Sequence, residues 1–220
     1  MIFARAFRAR SEASPSSQTA DGQEKVITSL ADHPFHGPIH HLGYLVNDLE
    51  ATVERLVNAL GAGPFFVVRD VPLEQVTSRG EPATFDHDSA FGQCGAMPIE
   101  IIQLNRLEPK RLREGFSQSP PQLHHAAYVL ARERVAEARE DLERRGLPAF
   151  LHATMGDLDL TLHDAASLTG HHMELHADSP GFRDFFGMVR SASVGWDGSG
   201  PLRSPTGGET STDHTRGRSC

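Results

Sequence analysis

Two cysteines in 220 residues, Cys94 and Cys220, leave no material for a disulfide framework. They lie far apart and one closes the chain, so no structural bridge is expected and a reducing, cytoplasmic setting fits best. No apolar run approaches the ~20 residues that a membrane-crossing helix requires. A basic excess is missing as well: the formal net charge is −8, whereas nucleic-acid-binding domains usually carry a basic face. The one dense basic stretch, NRLEPKRLR at 105–113, reads as a solvated linker face. The opening MIFARAFRAR is rich in arginine, but its apolar residues are too interrupted for a secretory signal, and it reads as a disordered leader.

The apolar fraction, 38%, is low because the ends are polar. Residues 1–38 contain SEASPSSQTADGQ and ADHPFHGP, and residues 197–220 read DGSGPLRSPTGGETSTDHTRGRSC. Both are expected to be flexible segments with little to bury. The folded part is expected between them.

That part contains a repeat. IHHLGYLV at 39–46 and LHHAAYVL at 123–130 share a histidine pair, an apolar run and a tyrosine, with His41 and His125 84 residues apart. After the first, Asn47 or Asp48 can cap a helix whose apolar stripe is Leu49, Val53, Leu56, Val57 and Leu60, with Gly61 as a left-handed stop. Strand candidates follow at 65–71, 84–91 and 98–104. After the second, a helix with Val135, Ala138 and Leu142 inward stops at Gly146, 85 residues after Gly61. Strand candidates follow at 147–154, 158–165 and 171–177. The chain thus divides into a first βαβββ module at 39–104, a linker at 105–122 and a second module at 123–178. A C-terminal segment at 179–196 carries Phe182, Phe185, Phe186, Val189 and Trp196 in partly helical spacing. It is expected to pack on the domain or form a homodimer seam; a substrate lid is the less favoured reading.

Side chains alternate along a strand, so only one histidine of each pair is expected to face a shared cavity. The small residues Gly43 and Ala127 share the faces of His41 and His125, as though those faces must leave room. Each module also ends on a strand with a glutamate among apolar neighbours, Ile99-Glu100-Ile101 and Met173-Glu174-Leu175. A buried lone carboxylate is costly unless paired, hydrogen-bonded or bound to metal. His41, Glu100, His125 and Glu174 together make a nitrogen and oxygen donor set suited to one divalent ion such as Mn, Fe, Co, Ni or Zn. Asp86 and Asp88 are secondary base candidates, more simply read as exposed strand polars. His172 and His176 share a face with Glu174; partial exposure on the strand is their favoured reading. His152 and His163 carry no argument beyond their type, and Gln103 faces away from Glu100.

The segments IHHLGYLVNDLEATVERLVNALGAGPFF, PIEIIQL, LHHAAYVL and GHHMELH resemble the vicinal-oxygen-chelate superfamily, most of all its glyoxalase and methylmalonyl-CoA epimerase branch, over about residues 39–177. The resemblance implies an α+β fold of two tandem βαβββ modules whose curved sheets enclose a metal cleft. It implies that His41, Glu100, His125 and Glu174 are the ligands, with Glu100 and Glu174 also the candidates for moving a proton. The implied function is that of a divalent-metal-dependent isomerase or lyase acting on a small carbonyl or thioester substrate through an enolate. Two alternatives stand beside it. An Fe(II) extradiol-type dioxygenase would use His41, His125 and Glu174 without Glu100. A metal-free small-molecule-binding protein on the same fold would typically have lost the His and Glu set. Among the basic residues, Arg106, Lys110, Arg111 and Arg113 form the only dense cluster that could meet the phosphates of a CoA thioester.

Overall fold

The computed structural model describes residues 37–116 and 120–206. The leader, Cys220 and most of the C-terminal tail lie outside the described residues. Strand β1 (His41–Val46) leads to helix α1 (Leu49–Leu60). Of the two expected caps it is Asp48 that serves, its side chain accepting from the Ala51 N–H, while Gly61 takes the left-handed conformation with φ 63°. Leu49 and Val53 are fully buried, each contributing on the order of 1.5–3 kcal/mol of hydrophobic stabilisation.

The strands β2 (Phe65–Val68), β5 (Thr84–Cys94) and β6 (Met97–Glu108) complete the first module. Between them runs a hairpin that periodicity did not foresee, β3 (Glu74–Ser78) and β4 (Glu81–Pro82). Its residues are mostly polar, and it owes its place to pairing with β8 of the other module. The second module comprises β7 (Gln122–Leu130), α2 (Val135–Arg144), β8 (Ala149–Met155), β9 (Leu158–His163), a single turn α3 (Ala166–Thr169) and β10 (His172–Ala177). In α2 the expected inward residues Val135, Ala138 and Leu142 are all buried. Helix α4 (Pro180–Ser193), capped by the Ser179 hydroxyl, and β11 (Leu202–Arg203) close the described chain.

Among the described residues the eleven strands form one sheet, in the order β11-β2-β5-β6-β1-β7-β10-β9-β8-β3-β4. The order is symmetric about the antiparallel β1/β7 pair: β1 runs parallel to β6 on one side and β7 runs parallel to β10 on the other. One face of each half packs on its own helix. Val46, Ile99 and Ile101 cluster beneath α1, and Leu175 with Ala138 and Leu142 beneath α2. The opposite face carries the third cluster, which includes Leu45, Ile102, Phe150 and Leu162, and the residues of the site.

Two segments differ from expectation. The linker at 105–122 is shorter than its sequence implies, because β6 continues to Glu108 and a 3-10 turn (Lys110–Phe116) fills most of the rest. Its basic side chains are exposed as expected, yet Leu112 and Phe116 are buried in the shared core. Within the tail at 197–220, Leu202 and Arg203 add a parallel strand to β2, and the Trp196 indole donates to the Ser199 carbonyl at 2.7 Å. A two-residue strand without a hydrophobic run leaves no periodic trace in sequence.

Candidate metal centre

Strand register explains how four residues distant in sequence meet. On one rung Gly43 of β1 lies between Glu100 of β6 and His125 of β7. On a neighbouring rung Ala127 of β7 lies between His41 of β1 and Glu174 of β10. Residues two strands apart are separated by about 9.6 Å of backbone. Their long side chains can meet only by leaning over the residue between them, so that residue must be small. A Cβ on Gly43 would lie 2.2 Å from His125 Cε1 and 2.3 Å from its Nε2. This is the room that the small residues were expected to leave. The two rungs are related by exchange of the modules, and each joins a glutamate of one module to a histidine of the other.

The resulting cluster is tight and buried. His41 Nε2 stands 3.8 Å from Glu100 Oε2 and 3.5 Å from Glu174 Oε2. His125 Nε2 stands 3.5 and 3.3 Å from the same two oxygens. One donor atom from each residue falls within 4.8 Å of every other. Donors bound at ~2.1 Å to a common divalent ion would lie about 3.0–3.4 Å apart, so a modest contraction would bring them into coordination. His125 Nε2 is buried and makes no hydrogen bond, so once deprotonated its lone pair would be available to an ion. The donor chemistry and this orphaned nitrogen fit a divalent cation.

The adjacent histidines contribute in a way that simple alternation did not anticipate. The β1/β7 register passes from Gly43↔His125 to Tyr44↔Leu123, so His124 is the extra residue of a β-bulge. The bulge turns His124 toward the site, and it lines the cavity described below. Its Nε2 lies 3.2 Å from the Gly115 carbonyl and its Nδ1 lies 3.1 Å from His125 Nδ1. The carbonyl can only accept, so His124 Nε2 carries the proton and donates. Burial, with the neighbouring His125 and His172, keeps the His124 pKa well below its ordinary value, so the ring is neutral. Its Nδ1 therefore accepts from His125 Nδ1–H, which leaves His125 Nε2 as the ring atom that faces the cluster. The first module repeats the contact, with His40 Nδ1 3.0 Å from His41 Nδ1. Burial and the neighbouring His41 lower the His40 pKa to about 4, so it too serves as a neutral acceptor. The twin histidine pairs are thus ligand candidates each oriented by its neighbour.

Electrostatics bind the cluster together. Burial alone would lower the His41 pKa, but hydrogen bonds with Glu100 and Glu174 and their charges outweigh it and raise it to about 9. Burial would raise the carboxylates, yet the facing imidazoles hold both well below the usual carboxylate range. The glutamates differ in their remaining partners. Ser89 Oγ donates to Glu100 Oε1 at 2.7 Å, whereas His176 Nε2 lies 2.7 Å from Glu174 Oε2.

His172 and His176 are buried rather than partly exposed. The parallel β7/β10 pairing places them inside the sheet, and His172 Nε2 donates to the same Gly115 carbonyl at 2.9 Å. Asp88 is not in the cavity: its carboxylate accepts from Arg69, from the Asp70 N–H and from Asn105. Asp86 accepts from Asn105 on that side of β5. The other face of the strand supplies Phe85, His87, Ser89 and Phe91, which sequence reading for carboxylates passed over. His163 Nδ1 donates to the Leu147 carbonyl and His152 pairs with Asp159, both away from the cluster. Gln103 accepts from the first N–H of α1.

Above the cluster lies a cavity of about 320 Å³. Phe182, Phe185 and Phe186 of α4 form one wall, so the helix packs onto the site itself. Phe182, Phe185 and Phe186 therefore wall a cleft, while Val189 is buried in the domain as the packing reading expects.

This geometry accords with comparison to known proteins. The model of the Glyoxalase/Bleomycin resistance protein/Dioxygenase superfamily matches residues 40–159, more than half of the chain. The chain belongs to this superfamily. Its members generally bind a divalent metal, and the buried His and Glu cluster could hold one here. A search of curated proteins returned no match. Among solved structures, methylmalonyl-CoA epimerase from Mycobacterium tuberculosis is 14% identical, with a TM-score of 0.47, 71% of this chain and 97% of that one covered. A variant of Streptomyces coelicolor methylmalonyl-CoA epimerase in complex with 2-nitronate-propionyl-CoA is 20% identical, with a TM-score of 0.41, 64% and 96% covered. At such scores these likenesses carry no argument about the reaction.

Proposed function

We propose that the chain is a divalent-metal-dependent enzyme that abstracts a proton beside a carbonyl, with His41, Glu100, His125 and Glu174 as the metal ligands. The observation that carries this reading is the convergence of four buried donors, one of them the orphaned His125 Nε2, at the floor of a cavity. Bound there, the ion would supply Lewis-acid stabilisation of the negative charge that grows on a carbonyl oxygen.

The protein's own residues do the rest. His40 and His124 fix the orientation and tautomer of the two imidazoles. The apolar walls exclude water, which strengthens every electrostatic interaction inside. Of the two carboxylates, Glu100 is the better placed to move a proton. Its partner Ser89 Oγ can donate to the carboxylate or accept from the acid, and so tolerates both states. Turned from the imidazoles toward the apolar wall, Glu100 would lose the partners that depress its pKa. Burial would then push it up toward the range that a general base needs. Glu174, held by His176, keeps the ligand role.

An Fe(II) dioxygenase built on His41, His125 and Glu174 would leave Glu100 apart from the set. Glu100 Oε2 lies 3.8 and 3.5 Å from the two imidazoles, against 3.5 and 3.3 Å for Glu174. Nothing separates it, and the four-ligand reading is favoured.

Metal analysis of wild type beside His125→Ala, Glu100→Gln and Glu174→Gln tests the ligand set. Proton exchange of acetophenone-type ketones and simple thioesters in D2O, followed by NMR, tests the chemistry. Stoichiometric metal lost in His125→Ala is expected, with exchange abolished in Glu100→Gln while metal is weakened rather than lost. Absence of metal after reconstitution with Mn, Fe, Co, Ni and Zn would overturn the reading.

A further inference from the structure

The walls of the cavity say what class of molecule it accepts. Val68, Phe85, Phe91, Leu160, Phe182 and Phe186 line it, with further aliphatic side chains between them. Its polar groups are the four donors, three histidines (His87, His124, His176) and Asp157 at the edge. Among the described residues, no lysine or arginine lines it.

Arg132 donates to the carbonyl of Asp157, and other cations are engaged in ion pairs of their own. Arg69 pairs with Glu50 and Asp88, Arg139 with Asp159, and Arg183 with Asp178. Within the basic stretch that could have met CoA phosphates, Arg106 pairs with Glu108, Arg111 donates to the Ser78 carbonyl and Arg113 to the Leu107 carbonyl. None of these reaches the cavity. Burial holds His87 and His124 below their ordinary pKa, so neither offers a positive charge. Asp157 is itself acidic and accepts from the Gly181 N–H at the start of α4. An anionic group placed among the apolar walls, away from the His and Glu cluster, would lose its hydration and meet no lysine or arginine, a large penalty.

We propose that the site takes an uncharged, mainly apolar carbonyl compound, aryl or alkyl, with no phosphate or carboxylate on the part that enters the cavity. At about 320 Å³ the cavity stands at the lower end of the ~300–1,000 Å³ range of small-molecule sites. Five phenylalanines (Phe85, Phe91, Phe182, Phe185 and Phe186) line it. A flat ring or short chain fits such walls, and a charged or highly hydroxylated ligand does not. The inference rests on the metal-dependent reading only for which end of the ligand meets the cluster; the preference for an uncharged body rests on the walls alone.

The test compares acetophenone and 2-nonanone with 4-acetylbenzoate, by calorimetry or saturation-transfer NMR. Each is measured on the full chain, both metal-free and reconstituted with cobalt. The expected result is at least ten-fold tighter binding of the uncharged ketones in both forms. In Phe185→Arg, at a partly exposed position of α4 whose ring meets Phe91 and Phe186, 4-acetylbenzoate should gain and acetophenone lose, narrowing or inverting the ratio. Phe185→Leu should keep the wild-type order. Equal or tighter binding of 4-acetylbenzoate to the metal-free wild type would overturn the proposal, as would millimolar ketone showing no binding to either form. A protein that keeps the ketone preference yet takes up none of Mn, Fe, Co, Ni and Zn would overturn the metal-dependent reading and leave this one standing.

Discussion

Substituting Gly43 by alanine tests the geometry of the site with one methyl group. In an open strand, glycine to alanine adds stability, about 0.5–1 kcal/mol, because glycine loses the most freedom on folding. Gly43 has no positive φ that an alanine would find strained. The added Cβ, however, would stand 2.2 Å from His125 Cε1, 2.3 Å from Nε2 and 2.7 Å from Nδ1. Unstrained carbon contacts begin near 3.5 Å, so the ring must retreat by more than about 1 Å. It has little room to do so: His125 is buried, and its Nδ1 is tied to His124 at 3.1 Å. Overpacking of this kind costs about 1–3 kcal/mol. The sign therefore reverses, from a gain to a loss. Net of the propensity gain the loss is up to about 2.5 kcal/mol, so at roughly 2–4 °C per kcal/mol for a domain of this size the melting temperature should fall by up to about 10 °C. Displacing His125 should also weaken cobalt or zinc binding by on the order of 10–100-fold, the range seen when a ligand's orientation is disturbed. Scanning calorimetry and metal titration read the two effects. In a His125→Ala background the methyl has nothing to strike, so the stability penalty of Gly43→Ala should vanish there, which a double-mutant cycle would show. A Gly43→Ala protein that is more stable and binds metal as wild type does would refute the rung argument.

Other expectations follow from the same geometry. His124→Phe keeps a ring against Phe116 but removes the acceptor for His125 Nδ1–H; metal affinity should fall about 10–100-fold while the far-UV circular dichroism is unchanged. Because His41 is raised to about 9, it carries a proton at neutral pH that a metal must displace. Metal uptake at pH 7.5 should therefore release a proton, seen as a calorimetric enthalpy that varies with the buffer's ionisation heat, and affinity should rise with pH until about 9. For the metal-free protein, the stabilisation from protonated His41 is complete below its unfolded value of ~6.5 and is lost as pH rises through about 9. The depressed histidines His40, His87, His124, His163 and His172 act oppositely, their contribution being lost as pH falls below ~6.5. Urea midpoints should thus peak near pH 6.5–7, and bound metal should remove the alkaline decline. Asp88→Ala should lower the melting temperature by removing the partner of Arg69, the Asp70 N–H and Asn105, and leave metal affinity unchanged.

How much of this was legible beforehand depends on whether a feature repeats. The duplicated strand, helix and glycine stop appear twice in phase, so both helices, their inward residues and the four donor positions could be read from spacing. What escaped reading lacks a repeat or a period. The β3/β4 hairpin is a polar stretch held by pairing to the other module. The bulge at His124 is a matter of register that a strand's own residues do not announce. His87 and Ser89 stood in plain view, but on the face of β5 opposite the aspartates that attracted attention. The Phe-rich stretch was recognised as apolar and helical. That it covers the cleft depends on where Ser179 caps α4, which is a tertiary fact.

The departures from symmetry carry more functional meaning than the symmetry. Two identical modules would present two equivalent carboxylates, and equivalent groups cannot divide the labour of holding an ion and moving a proton. Here the strands place Glu100 and Glu174 equivalently, but their second partners differ. A hydroxyl that can reverse its hydrogen bond faces Glu100, and an imidazole fixes Glu174. Helix α4, which follows only the second module, then roofs the shared cavity with phenylalanine. Exchanging the partners should expose this division. Ser89→Ala should slow proton exchange while sparing metal affinity, since Glu100 Oε2 still faces both histidines. His176→Phe should do the reverse, loosening Glu174 and weakening metal binding first. If both variants lowered metal affinity and exchange in the same proportion, the two carboxylates would be equivalent after all, and assigning the proton to Glu100 would fail.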